Sequence, residues 1–464
     1  MISEFSLPEP VLEVLSRLRG QGHEAFLVGG CVRDLLLRLA PSDWDVCTSA
    51  HPDAVKALFP GCLETGLRHG TVTALMPEPR QPGGHRMPVE ITTWRAESGY
   101  SDHRHPDVVR FSTTLGDDLS RRDFTINAMA WHPETGLVDL FGGRDDLEAG
   151  IVRCVGDPIR RFREDALRML RAVRFSSQLG FVLDADAAKA VRHRRDDLVH
   201  VSRERIQYEM TRTLTGIAPT RAALWWDTGL HALLFDLGGA SPERFDGLPF
   251  TRLEQSLRSS GLQHVTRPTG RECDRAPHMG ISPDAPHLPD GPDEDVLRWA
   301  LFFRSCGMDS AERVEQVALW MRLYRFPNNR QAGIRKLLRL ADAPMPPTHR
   351  NLRYAALSEG PGWLHAAFAL RRYAGGATSP DLHGMIVPGD FPDGAFVRAS
   401  LAGGATPCGS EFGALLDCLR MVPCEQPHLA TPAVLSVLAS AMRDRAEAAF
   451  RASVPPRFWL DARI

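Results

Sequence analysis

No run of eighteen apolar residues occurs in the 464-residue chain, so no membrane-spanning helix is expected. The opening residues, MISEFSLPEPVLEVLSRL, lack the basic-then-apolar layout of a secretory leader. Nine cysteines are present, an odd number, and none forms a CxxC pair. That disfavours both a disulfide frame and a zinc ribbon, and makes a reducing cytoplasm the expected setting. Net charge is also nearly absent: 55 Lys and Arg stand against 57 Asp and Glu, a balance of −2. The chain as a whole is therefore no polyanion magnet. No internal repeat is visible.

What is present is ordinary in bulk and biased locally. A hydrophobic content of 43% and a charged content of 24% are those of a soluble globular protein, long enough for roughly two to four domains with real cores. From Arg153 to Arg212 there are fourteen Lys or Arg and nine Asp or Glu, an excess of five positive charges, nearly all of them arginine. Arginine offers a planar fork that grips phosphates and base edges in pairs, so this segment suits a nucleotide or nucleic acid.

The stretch Phe26 to Thr48, FLVGGCVRDLLLRLAPSDWDVCT, is the one the rest is organised around. It reads as an apolar strand, a Gly29-Gly30 turn, a short apolar helix, and a second strand carrying Asp43, Trp44 and Asp45. Strand side chains alternate faces, so Asp43 and Asp45 are expected on one side and Trp44 and Val46 on the other. Two close carboxylates repel and share a proton unless a divalent cation sits between them. The glycine turn leaves N–H groups free at the start of a helix, where an anion can bind, and Arg33 adds a fixed positive charge. A Gly-Gly pair alone is usually only a turn, and an Asp-x-Asp alone is usually a solvated strand edge. In this order and proximity they point to a nucleotidyl-transfer site.

Pro10 to Arg19 carries a helical stripe of Val11, Leu12, Val14, Leu15 and Leu18. A short helix is expected over His51 to Phe59. HGTVTALM (His69 to Met76) and VEITTW (Val89 to Trp94) read as a hairpin continuing the sheet. Glu90 becomes a third acidic group if its face adjoins Asp43 and Asp45, and is otherwise a solvent-facing strand residue. Arg95 to Thr114 reads as a mobile loop followed by a strand from Val108 to Ser112. In DLSRRDFTINAMAW (Asp118 to Trp131), Arg122 and Asp123 form either a surface ion-pair cluster or contacts to ribose and phosphate. Val138 to Asp157 reads as a turn-rich neck.

From Pro158 onward the texture is helical. RRFREDALRMLRAVRFSSQLGF (Arg160 to Phe181) reads as one helix with Phe162, Leu167, Leu170, Val173 and Leu179 toward a core. Asp165 and Arg168 share a face at i and i+3, as do Arg168, Arg171 and Arg174 in turn. Glu164 with Arg168 would be worth roughly 0.3 to 0.5 kcal/mol as a surface pair. Three arginines one turn apart repel, and an anionic ligand would relieve that. Helices continue through Val201 to Gly216 and Arg221 to Phe235, and resume over Asp295 to Asp342, Leu352 to Tyr373 and Pro432 to Phe450. Leu257 to Glu294, rich in Pro, Gly, Asp and His, reads as a disordered insert or linker, and Ala374 to Cys408 as a Gly/Pro/Ala-rich connection. Cys273, His278 and His287 fit no zinc module.

Five motifs now stand in order: VGGCVRD with DWDVCT, HGTVTALM with VEITTWR, SRRDFTINAMA, REDALRMLRAVRF, and SRERIQYEM. Over roughly Phe26 to Leu214 they resemble the class II tRNA nucleotidyltransferases (CCA-adding enzymes), kin of the bacterial poly(A) polymerases. The resemblance implies an α+β architecture: an N-terminal polymerase-β-like nucleotidyltransferase head with a mixed sheet, then all-helical neck, body and tail domains. The corresponding boundaries are residues 1–150 for the head, 151–256 for the neck, 257–294 for the insert and 295–464 for body and tail. It implies Mg2+ held by Asp43 and Asp45, with Glu90 as the neighbouring catalytic acid and two ions roughly 3.5 to 4 Å apart. Gly29, Gly30 and Arg33 would cradle the triphosphate, and Arg122 and Asp123 would select ribose. Asp165 and Arg168 resemble a protein template: a carboxylate accepts from an exocyclic amine and a guanidinium donates to ring acceptors, so the pair reads C or A. Arg171 and Arg174 would support Arg168 and contact phosphate.

The implied partners are tRNA, with CTP and ATP as substrates, and no membrane. CCA addition is the first reading. A-only addition and poly(A) synthesis are its alternatives, and an RNA-binding protein that keeps the fold is the non-enzymatic one. Tyr100, Asp102, Arg104 and Pro106 resemble the loop used for adding A, and HGTVTALM after Gly66 resembles the tRNA type. RWALFFRSCGMD (Arg298 to Asp309) has no His-Asp pair, so a phosphohydrolase module is not expected. The tail beyond Pro380 matches the family poorly, and the insert has no counterpart in it.

Overall fold

The computed structural model describes residues 5–66, 70–78, 86–99, 108–235, 245, 251, 292–307, 311–343 and five positions between 363 and 370. The expected loop residues Tyr100 to Pro106 and the insert up to position 291 lie outside these. So do nearly all of 352–373 and the expectations for 374–408 and 432–450. The chain divides into two compact units. The first contains Met1–Phe245 and Arg322–Phe326, and the second contains Pro283–Met321 and the residues from Pro327 on.

A seven-stranded mixed sheet organises the first unit. Its strands are β1 (Ala25–Val28), β2 (Asp45–Thr48), β3 (Leu63–Gly66), β4 (Thr71–Pro77), β5 (Arg86–Thr93), β8 (Met129–His132) and β9 (Gly136–Asp139), in the order β3-β4-β5-β2-β1-β8-β9. β4 and β5 form the expected antiparallel hairpin, with Thr73 opposite Glu90. β2 lies antiparallel to β1 and parallel to β5. A parallel pair needs a crossover, here supplied by the stretch from α3 (Pro52–Leu58) through β4. β1 and β2 sit in the middle of the sheet, and each buries three of its four residues, which is why FLV and VCT read as apolar runs.

Helix α1 (Glu9–Gly20) packs on this sheet through Val11, Val14, Leu15 and Leu18, while Leu12 remains 42% exposed. Helix α2 (Gly30–Leu36) buries Cys31, Val32 and Leu35. β6 (Arg95–Ser98) and β7 (Val108–Phe111) form a separate antiparallel ribbon, so the strand expected at Val108 does not extend the main sheet. α4 (Leu115–Ser120) is capped by Thr114, whose hydroxyl accepts from the Asp117 N–H. Val28, Cys47, Trp94, Leu119 and Ala130 make one continuous core cluster under it.

Val138 to Asp157 is more structured than a turn-rich neck. It completes β9, forms α5 (Gly143–Ala149) and continues as β10 (Ile151–Val152). The helical texture then begins with α6 (Pro158–Glu164), whose N-cap Asp157 accepts from Ile159 N. The long helix expected over Arg160 to Phe181 is in fact two: α6 ends at Glu164, Asp165 takes an extended conformation at φ −140°, and α7 runs Leu167–Leu179. No proline or glycine marks that break. β11 (Val182–Leu183) interrupts the helices by pairing in parallel with β10. α8 (Ala185–Arg194), α9 (Arg203–Leu214), α10 (Leu224–Asp227) and α11 (His231–Leu234) follow.

In the second unit, helices span Glu294–Ser305, Ala311–Leu323 (except its last two residues, which belong to the first unit) and Asn328–Asp342. Glu294, expected as the last residue of the insert, is therefore the first of a helix. The buried rings of Trp299, Phe302, Phe303 and Trp320 form its centre, with Trp299 and Trp320 5.5 Å apart.

Candidate active site

Strand β2 places the acids. Asp45 is its first residue and stands in register with Glu90 of β5, whose N–H donates to Trp44 O at 2.9 Å. Asp43, expected on the strand, lies instead in the exposed bend leading into it, where its Oδ2 accepts from Ser42 Oγ at 2.9 Å. Trp44 and Val46 are buried on the opposite side, as alternation predicts. Burial, then the neighbouring charges of Glu90 and Asp43, push Asp45 up to about 6, against the lowering pull of Arg122. Three carboxylates thus face one incompletely compensating cation.

The Gly29-Gly30 turn makes room for that cation. Gly29 adopts φ +81°, and a Cβ there would lie 2.8 Å from Arg122 Nη1 and 3.7 Å from Asp45 Oδ2. Arg122 is further held by Asp118 Oδ2 at 3.2 Å and by Asn127 O at 3.4 Å. Its buried Nε has no hydrogen-bond partner among the described residues. Cys31, one residue into α2, donates its thiol to the Val28 and Asp45 carbonyls at 3.3 and 3.6 Å, and burial pushes its pKa up to about 11. It is a structural thiol behind the acid, not a reactive one.

Arg33 turns toward the neck. Its Nε and Nη2 donate to Asp34 Oδ1 at 2.9 and 2.7 Å, and Nη1 donates to Asn127 Oδ1 at 2.8 Å. Asp123 is wholly engaged by protein. Its Oδ1 accepts from Phe124 N and Asn127 Nδ2, and its Oδ2 accepts from Arg171 Nε at 2.7 Å. Burial would raise its pKa, but Arg171 and then Arg168 outweigh that and hold it down at about 2.

The arginines of α7 do not face one another uncompensated, as their spacing suggested. Arg168 donates to Glu164 Oε2 at 2.7 Å and to the carbonyls of Arg161 and Arg121. Arg171 pairs with Asp123, and Arg174 pairs with Glu209 Oε2 at 2.6 Å and Gln178 Oε1 at 2.7 Å. Each thus has its own carboxylate. Glu164, read as half of a surface pair, is 7% exposed and also binds Arg161. Asp165, in the break between α6 and α7, caps α7 by accepting from Leu167 N at 3.0 Å and receives Arg205 Nη2 of α9 at 3.1 Å. Its expected i,i+3 relation to Arg168 on one helix face does not exist, because Asp165 is not in the helix.

Asp34, Asp118, Asn127 and Arg205 were not singled out by pattern. Asn127 alone carries a signal, as an amide set inside an otherwise apolar run. The donor set around Asp45 consists of hard carboxylate oxygens, which suits Mg2+. Among the described residues no three acidic, His or Cys side chains converge closely enough to hold a metal by themselves. Mg2+ needs no such cage, since it keeps waters and takes substrate phosphate oxygens beside one or two carboxylates.

Residues 25–153 match the poly A polymerase head domain. The matched stretch is thus similar to a poly A polymerase head, and it holds every residue from Gly29 to Asp123 that surrounds the acids. In sequence and in fold the family that the chain resembles is that of the CCA-adding enzymes. The one from Lactobacillus helveticus (strain DPC 4571) is 47% identical over 245 residues, 52% of this chain and 59% of that protein. The one from Bacillus velezensis is 44% identical over 246 residues, 52% of this chain and 60% of that protein. The matched part thus spans less than two thirds of these relatives. The Bacillus stearothermophilus CCA-adding enzyme, solved in complex with CTP, superposes with a TM-score of 0.59 at 29% identity over 95% of this chain and 98% of its own. The Thermotoga maritima CCA-adding enzyme complexed with tRNA-CCA shares the fold, with a TM-score of 0.53 at 17% identity over 93% of this chain and 94% of its own.

Proposed function

We propose that this protein adds CCA to the 3′ end of tRNA, using CTP and ATP and no nucleic-acid template. The carrying observation is the in-register pair Asp45 and Glu90 with Asp43 at the mouth of the strand, an acidic group that Arg122 offsets only in part and a bound cation would offset further. Mg2+, when bound by Asp43 and Asp45, supplies neutralisation of the triphosphate and lowers the pKa of the attacking 3′-hydroxyl.

The remaining work belongs to side chains. Glu90 adds negative charge beside Asp45 and favours cation loading there. Gly29 and Gly30 leave the turn open for the triphosphate and Arg33 grips it, exchanging part of its contact with Asp34 for phosphate. Arg122 lies near Asp45 and offsets part of its charge, and with Asp123 it borders the ribose. Asp165 and Arg168 read the base edge. Arg171 and Arg174, tied to Asp123 and Glu209, hold α7 in place beneath them. The head (1–150), neck (151–256) and helical body and tail (295–464) are the working domains of this reading.

We place the protein in the cytoplasm, where tRNA ends are made. The five described cysteines, all unpaired, suit that compartment. Among the described residues no helix is long and apolar enough to cross a membrane.

The test is purified protein with a tRNA transcript lacking its 3′ CCA, Mg2+, and labelled CTP or ATP. Incorporation of both, stopping after three nucleotides, is the expected result. ATP use only on a transcript already ending in CC means A-only addition, and unlimited A tailing means poly(A) synthesis. RNA binding without incorporation means a non-catalytic protein. Asp43→Ala should abolish incorporation while RNA binding persists, and retained activity refutes the acid assignment.

A further inference from the structure

One residue that the reaction as described does not use sits among three of the arginines it does. Phe175, on α7 and 5% exposed, has the guanidinium carbons of Arg33, Arg171 and Arg174 at 5.3, 5.3 and 4.1 Å from its ring centroid. Phe124 packs edge-on against the same ring, with centroids 5.6 Å apart and planes at 77°. Arg33 comes from α2 of the head, and the other two come from α7 itself. A guanidinium within about 6 Å of an aromatic centroid is drawn to the ring's negative face.

The three arginines already have one carboxylate each, Asp34, Asp123 and Glu209. Those pairs offset their charge. A further acid at position 175 would tip the local balance negative and repel phosphate. A neutral ring attracts the cations and fixes the planes of their forks without adding a further negative charge against an anionic ligand.

We propose that Phe175 is a positioning residue for nucleotide binding, aligning Arg33 for the triphosphate through its π face. The proposal rests on the functional reading above. Because the triphosphate is common to CTP and ATP, both nucleotides should feel the ring equally.

The test replaces Phe175 in the full-length protein with phenylalanines bearing one, two and three ring fluorines. These keep nearly the same shape while draining the ring's negative face stepwise. KM for CTP and for ATP should rise together with each fluorine, reaching about three- to ten-fold at three, with kcat and melting temperature nearly unchanged. A flat KM across the series overturns the proposal, and so does a rise confined to one nucleotide. Phe175→Leu, which removes the ring, should raise both KM values at least as far, and a folded Leu variant with parental KM values also overturns it. A parent protein that transfers no nucleotide refutes the functional reading instead. Calorimetric binding of CTP to the same fluorinated series then decides the ring's role by itself.

Discussion

Asp45 holds its proton longer than an ordinary aspartate, to about pH 6, because it is buried beside Glu90 and Asp43. Between the usual carboxylate value of 3.8 and that point, the folded chain keeps a proton that the unfolded chain has lost. This group therefore favours folding most at low pH, and its contribution declines as pH rises toward 6 and is level above. Divalent cation and proton compete for the same oxygens. Affinity for Mn2+, measured by titration as a spectroscopic stand-in for Mg2+, should fall by up to about tenfold per pH unit below 6 and be flat above. Glu90→Gln removes a negative neighbour and should move that break to lower pH. An affinity constant from pH 5 to 7 would contradict the electrostatics. At Gly29 the expected outcome is steric. Gly29→Ala meets Arg122 Nη1 at 2.8 Å on a backbone with φ +81°, so it should cost on the order of 1 kcal/mol of stability. It should also lower kcat by displacing Arg122 from Asp45. A variant with parental kcat would show that Arg122 does not order the acid.

At the scale of elements, the break between α6 and α7 matters most. Asp165→Ala removes the side chain that both caps α7 and receives Arg205. The lost cap should cost about 1 kcal/mol, seen as a lower melting temperature. The ratio of CTP to ATP incorporation should shift more than KM for either triphosphate does, and an unchanged ratio would remove Asp165 from base selection. The sequence showed strands β1, β2, β4, β5 and β7, the β4–β5 hairpin, the Gly29 turn and the helical character after Pro158, because period-2 and period-3.6 patterns and glycine positions are local signals, whereas β3, β6 and β8 to β11 went unread. It did not show the break at Asp165, which no glycine or proline announces. Nor did it show which acids neutralise the α7 arginines. Asp123 and Glu209 lie on other elements, and partners that meet only through folding leave no periodic trace. Asp43 was placed two residues too far into its strand for a related reason: alternation predicts faces well and strand ends poorly.

Across the whole molecule, the two strands that carry Asp45 and Glu90 are joined by the sheet's parallel pairing, with α3, β3 and β4 threaded between them in sequence. That order explains why Glu90's place beside Asp45 was open from pattern alone. A hairpin is visible locally, but the neighbour on its far side is a matter of topology. The acid group therefore exists only after a long segment has closed on itself, whereas α7 and α9 need mainly local contacts. Closing such a segment is slow compared with forming a helix. In refolding from denaturant, helical circular dichroism should return first and nucleotide incorporation should lag behind it. Simultaneous recovery would mean that the sheet closes as early as the helices form. On the proposed reading, catalytic competence is then the last thing this chain acquires, and a newly made or heat-damaged molecule can look largely folded while its acid group is still unassembled.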